Sequence, residues 1–150
     1  MMTEIIYAPV SGTVKDITSS TDDVFAQKIL GDGILVEPNS DYIYSPVSGT
    51  IQGLQNTLHA LTIKTDSGNN LLLHCGIDTV EMNGKPFKAF IKNGDHVNVG
   101  DKLLYMNRKE VTEAGHSDEI LIIFPETSQK IDKQEKNTEV LSCQRIAQIG

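Results

Sequence analysis

The sequence predicts an all-β fold: an antiparallel β-sandwich or barrel built around an internal repeat, with one or two short helical turns. Three observations predict it. The apolar runs are short. The segments between them are rich in Gly, Pro, Asn, Asp and Ser, the residues that set turn backbones. And a nine-residue stretch occurs twice: Ile6-Tyr7-Ala8-Pro9-Val10-Ser11-Gly12-Thr13-Val14 matches Ile43-Tyr44-Ser45-Pro46-Val47-Ser48-Gly49-Thr50-Ile51, with seven of nine positions identical.

The elements follow in order. Ile5-Ile6 begins a first strand, and Pro9 ends it because proline cannot donate to a ladder. Ser11-Gly12 turns the chain, and a β-branched pair, Thr13-Val14, starts the next strand. Val24 to Leu30, ahead of Gly31, reads as a helical turn or two. Gly33–Val36, Tyr42–Tyr44 and Thr50-Ile51 are strands, parted by Pro38-Asn39-Ser40-Asp41 and by the second Pro-Val-Ser-Gly. Leu61–Ile63 and Leu71–Leu73 form a hairpin about Asp66-Ser67-Gly68-Asn69. Val97–Val99, Lys102–Tyr105 and Ile120–Phe124 are further strands, and Lys109 to Ala114 a second short helix. The more polar stretch from Lys130 to Gly150 reads as a strand or two finishing the fold, with a free end. No Gly/Ser or Pro-rich linker divides the chain, so residues 1–150 are expected to form a single domain. Two repeats are too few for a solenoid, and suit a sandwich with internal pseudo-symmetry.

Composition narrows the function. Thirteen Lys and Arg against twenty Asp and Glu leave a net charge of −7. That excludes a phosphate-backbone binder, and no basic run offers a polybasic membrane patch. Two cysteines make no disulfide framework, and no segment approaches a membrane span or a signal peptide. A cytoplasmic protein is expected. Four Tyr, four Phe and no Trp mean an aliphatic core.

The chemistry points to His59 and His74, which flank the central hairpin. Facing positions in an antiparallel pair sum to a constant. A hairpin loop of even length makes that sum odd, as 59 + 74 is, and puts both imidazoles on one face; an odd loop parts them. Even loops are common, so the shared face is the expectation. Paired imidazoles can ligate zinc, and His74-x-x-x-Asp78 matches a spacing of lysostaphin-type metallopeptidases. The His-x-His those enzymes also need is missing. Alternatively, one neutral imidazole attacks phosphorus while the other hydrogen-bonds the phosphoryl oxygens. No phosphate-binding Gly-rich loop or kinase set is present. Cys75 points away from His74 along the strand and reads as a buried, inert thiol. His96 and His116 sit in polar turns and read as structural. Ile91 to Leu103, with two Gly-Asp turns about a short strand, resembles the corner of biotinyl and lipoyl carriers. Lys102 lies on the strand side of its turn, which argues against lipoylation.

Several segments carry a closer resemblance: Ala8 to Gly12, Val24 to Gly33, Pro46 to Ile51, Thr57 to Ala60, His74 to Val80 and Gly94 to Asp101. Together they make residues 5–125 similar to the glucose-type enzyme IIA family of the bacterial sugar phosphotransferase system, with the match weakest over 126–150. The resemblance implies a β-sandwich with internal repeats and a phosphotransferase acting through a phosphohistidine. His74 would accept the phosphoryl group from the phosphocarrier HPr and pass it to a cysteine of enzyme IIB during sugar uptake. His59 would stabilise that group, and Thr57 would fix the His59 tautomer. Asp22 and Asp78 would meet basic residues of HPr. Val24, Phe25, Ile29, Leu30 and Leu72 would form an apolar docking collar. No cofactor is required. Relatives also bind metabolic enzymes and transporters according to phosphorylation state, sometimes through Zn²⁺ held at the two histidines, which makes a regulatory binding module the alternative. Gln55, Leu61, Leu72 and Cys75 stand where the family often has aromatics, and are expected at the rim of the site. A free-standing IIA is expected, without a membrane-tethering tail.

Overall fold

A computed structural model describes residues 3–125, 131–133 and 137–150. Strands dominate: β1 (Glu4–Tyr7), β2 (Gly12–Asp16), β3 (Asp32–Pro38), β4 (Tyr42–Tyr44), β5 (Gly49–Gln52), β6 (Ala60–Thr65), β7 (Asn70–Cys75), β8 (Phe87–Ala89), β9 (His96–Val97), β10 (Lys102–Met106), β11 (Ile120–Phe124), β12 (Ile131–Lys133), β13 (Thr138–Val140) and β14 (Arg145–Ile149). Two short helices interrupt them, α1 (Asp23–Ala26) and α2 (Arg108–Glu113), with single 3-10 turns at Ile17–Ser19 and Thr79–Met82. The expected all-β class holds.

Eight strands form one antiparallel sheet in the order β13-β2-β3-β11-β7-β6-β5-β9; β1-β14-β12 and β4-β10-β8 form two smaller sheets. The large sheet is covered on both faces. Along β7, Leu71, Leu73 and Cys75 enter the main core, while Leu72 and His74 point the other way. Beneath that outer face lies a second apolar cluster of Ile17, Phe25, Leu35, Ile77, Leu121 and Ile123. Double coverage explains why β11 is apolar at every position: Ile120, Ile122 and Phe124 fill the main core, Leu121 and Ile123 the second cluster. Each fully buried aliphatic side chain there contributes roughly 1.5–3 kcal/mol.

The repeat is a pseudo-two-fold. The Tyr7 amide donates to the Pro46 carbonyl at 3.0 Å, and the Tyr44 amide to the Pro9 carbonyl at 2.7 Å. Each copy also takes its own partner segment. Val97 faces Gly49 as Val140 faces Gly12, and Lys102 faces Tyr44 as Arg145 faces Tyr7. The Val99 amide bonds to the Ser48 hydroxyl, the Ser142 amide to that of Ser11. The stretch 138–149 is thus the structural counterpart of 96–106, though the two share little sequence. This corrects the expected free end: β14 lies between β1 and β12, and Ile146, Ala147 and Ile149 are fully buried. Of that polar stretch, positions 130 and 134–136 lie outside the described residues, as do 126–129 before it. Lys133 fastens β12 to the large sheet, its ammonium 2.5 Å from Asp16 and 2.6 Å from Asp32.

The central hairpin departs from expectation. Ala60 faces His74 and Lys64 faces Asn70, so facing positions sum to 134, and the loop proper is the three residues 66–68. Gly68 makes that odd loop possible at φ 93°. The register places Cys75, not His74, opposite His59: the Cys75 amide donates to the His59 carbonyl at 2.7 Å. Strict alternation would therefore send the two imidazoles to opposite faces.

Candidate active site

The rings meet nonetheless. His59 lies just outside β6, in a turn where Leu58 takes φ 60°, and this left-handed residue breaks the alternation before the strand begins. The His59 and His74 ring centroids are 5.2 Å apart, edge to face at 80°. The expected neighbours are right, and the expected reason, an even loop, is replaced by a twisted strand entry.

His74 projects from β7 between Ala60 on β6 and Leu121 on β11. The Phe25 ring packs 4.9 Å from it. Its Nδ1 is buried, so Nε2 is the nitrogen an incoming group can reach. Burial pushes the imidazole down to about 4, helped by the neighbouring His59; the Gly76 backbone and the carboxylates of Asp22 and Asp78 oppose the shift. At neutral pH the ring is uncharged and holds a free lone pair. His59 is also lowered, by burial. Its Nδ1 lies 2.6 Å from the Thr57 hydroxyl. When that hydroxyl donates, the ring proton sits on Nε2.

Around the pair, α1 begins at Asp22, whose carboxylate caps the Val24 amide at 2.8 Å. Val24, Ile29 and Leu30 are exposed, as a docking collar requires. Phe25 is only 6% exposed and supports the site from beneath rather than forming its surface, whereas Leu72 is half-buried, packing against the second cluster. The exposed Val80, on the 3-10 turn after Asp78, adds an apolar residue that the sequence reading did not assign to the collar.

The expected rim of replaced aromatics is half corrected. Leu61 and Cys75 are fully buried in the main core, because both point inward from their strands; only Gln55 and Leu72 reach the outside. Burial raises the Cys75 thiol to about 12, so it is no nucleophile. His96 pairs with Asp66 at 3.0 Å and His116 with Glu81 at 3.8 Å. Among the described residues no group of three or more His, Cys, Asp or Glu is arranged to hold a metal.

Comparison with known proteins agrees with this geometry. The family described as phosphoenolpyruvate-dependent sugar phosphotransferase system, EIIA 1, matches residues 4–130. A glucose-specific EIIA component of Halalkalibacterium halodurans is 41% identical over 114 residues, 76% of this chain and 66% of that protein. Another, from Buchnera aphidicola, is 38% identical over 68% of this chain and 61% of its own length. The match thus spans just under two thirds of each of these relatives. The solved structure of glucose permease IIA from Mycoplasma capricolum superposes with a TM-score of 0.90 at 34% identity, covering 99% of this chain and 96% of that one.

Proposed function

Because this chain belongs to the EIIA type 1 family of the phosphoenolpyruvate-dependent sugar phosphotransferase system, we propose that it is a phosphoryl carrier working through His74. The observation that carries the reading is a buried, neutral imidazole with a second imidazole 5.2 Å away. With its proton on Nδ1, His74 presents the Nε2 lone pair. A bond forms from Nε2 to the phosphorus of a phosphohistidine on the donor, HPr, as the donor's own N–P bond breaks. The reverse exchange, to a cysteine thiolate of enzyme IIB, discharges it. The His59 Nε2–H faces the phosphoryl oxygens and offsets their charge in both steps. The buried surroundings keep His74 from idling as a cation, which would have no lone pair.

The collar of Val24, Ile29, Leu30 and Val80, flanked by Asp22 and Asp78, suits brief docking of a basic partner. Transport of glucose, the sugar named for the relatives, and a place in the cytoplasm belong to this reading. No helix among the described residues is long and apolar enough to cross a membrane. A regulatory complex through zinc would draw two imidazole ligands from this chain, and the partner would have to complete the tetrahedron.

The test is incubation with enzyme I, HPr and labelled phosphoenolpyruvate. Acid-labile phosphate on His74, absent in His74→Gln, supports the proposal; no label on His74 overturns it. In His59→Gln, acceptance continues while onward transfer to IIB slows; unchanged onward transfer removes the role given to His59.

A further inference from the structure

A buried carboxylate is costly unless its oxygens are hydrogen-bonded, so one that the chemistry does not use calls for a reason. Glu119, the residue before β11, is 4% exposed. Its Oε1 accepts from the Ser117 hydroxyl at 2.9 Å, from the Thr21 amide at 3.3 Å and from the Thr21 hydroxyl. Its Oε2 is buried with no partner among the described residues. Its carbonyl accepts the Gly76 amide at 2.8 Å, two residues beyond His74.

These bonds converge on the site. Thr21 immediately precedes Asp22, the cap of α1, and α1 carries Phe25 against the His74 ring. Ile17 before this segment and Phe25 after it are buried in the second cluster, while Thr21 borders a cavity of about 250 Å³ lined also by Ser19, Leu35, Ser117 and Glu119. Between those two apolar anchors, Thr21 is held by its hydrogen bonds to one carboxylate. α1 itself is a single turn, too short to stay helical without such an anchor.

We propose that Glu119 is a positioning residue for the phosphoryl site: by holding Thr21 it sets where Asp22, Phe25 and the collar sit relative to His74. The proposal rests on the phosphoryl-carrier reading for its kinetic consequence and on geometry alone for its structural one.

The experiment uses the full chain and the variants Glu119→Ala, Glu119→Gln and Thr21→Val, with HPr as phosphoryl donor and hydrogen exchange as a second readout. In Glu119→Ala the KM for phosphorylated HPr is expected to rise about tenfold while kcat falls less than about threefold, because docking is disturbed more than the imidazoles. The Ala26 and Gln27 amides should exchange at least about tenfold faster, with β7 and β11 amides unchanged. Thr21→Val should reproduce both effects, and the double variant should add little. Glu119→Gln, which keeps an acceptor oxygen, should restore KM to within about threefold of the parent. Parental KM and α1 protection in a folded Glu119→Ala would overturn the proposal, as would an equal rise in exchange throughout the chain. Should Glu119→Ala not fold, Thr21→Val, which removes only the hydroxyl donor, decides by the same criteria. If the parent chain takes no phosphoryl group from HPr, the carrier reading fails, and exchange in α1 still decides whether Glu119 anchors it.

Discussion

Cys143 occupies in one half of the fold the place Gly100 holds in the other. The Cys143 amide donates to the Ala8 carbonyl at 2.8 Å and the Gly100 amide to the Ser45 carbonyl at 3.0 Å, with φ of 68° and 87°. A Cβ on Gly100 would lie 3.2 Å from the Cys143 sulfur. The left-handed conformation costs an L-residue about 1–2 kcal/mol, and glycine escapes it at an entropic cost of about 0.5–1 kcal/mol. Cys143→Gly is therefore expected to stabilise the protein by roughly 0.5–1 kcal/mol, and Gly100→Ala to destabilise it by at least as much, both read from urea midpoints at constant m.

In the proposed mechanism Thr57 acts on the reaction only through His59. In Thr57→Val the 2.6 Å contact with Nδ1 is lost, and the proton is free to move from Nε2 to Nδ1. Nitrogen-15 shifts should show a mixed His59 tautomer, and phosphoryl transfer to IIB should slow by about tenfold, within the range of lost electrostatic stabilisation. An unchanged tautomer would mean that Thr57 does not set it.

Phe25 links stability to reactivity. It is buried in the second cluster and packs on the His74 ring. Phe25→Ala should cost about 3 kcal/mol. By admitting water it should also raise the His74 pKa from about 4 toward its ordinary 6.5. An NMR titration of the His74 ring protons separates the second effect from the first.

The same depressed imidazole makes stability depend on pH. Above about 6.5 His74 is neutral whether folded or unfolded, and its contribution is fully present. As pH falls from 6.5 to about 4, the unfolded chain takes up a proton that the folded chain refuses. Stability should drop by about 3 kcal/mol across that window and no further below it on this account. His74→Gln should flatten this part of a urea-midpoint profile. Asp16, lowered to about 2 with Lys133 and Thr18 bonded to it, loses its contribution at lower pH, as the medium falls from about 4 toward 2.

Local chemistry made much of this legible in advance. Proline, Ser-Gly turns and short apolar runs marked most strands between residues 5 and 124, and the doubled nine-residue stretch announced the pseudo-symmetry. The second partner of that symmetry was hidden because hydrogen-bond geometry, not side chains, makes 138–149 resemble 96–106. Cys143 can stand in for Gly100 only because it accepts a left-handed backbone. The histidine pair was found, but its mechanism was misread. Loop parity is a rule for regular strands, and the left-handed Leu58 suspends it where it mattered. Burial was the hardest to foresee. Phe25 and Leu61 are expected at the docking surface and the rim and are interior in the structure, since only the sheet order says which face has a second layer above it; alternation along β7 sufficed for the buried Cys75.

The register carries a last consequence. Matching Gly12 opposite Pro38 with Gly49 opposite Thr65 aligns β3 with β6, and the pairings Val36 with Ile120 and Ile63 with Leu71 then align β11 with β7. On this alignment the twin of His74 is Ile123 and the twin of His59 is Asp32. On the carrier reading, one copy of the repeated unit carries the reactive nitrogen. In the other, the same address is filled with hydrocarbon that packs beneath it, and the second histidine's address holds an anion bound to Lys133. The duplicated frame has divided its labour, so that the inert twin supplies the dry floor on which the reactive one stays uncharged.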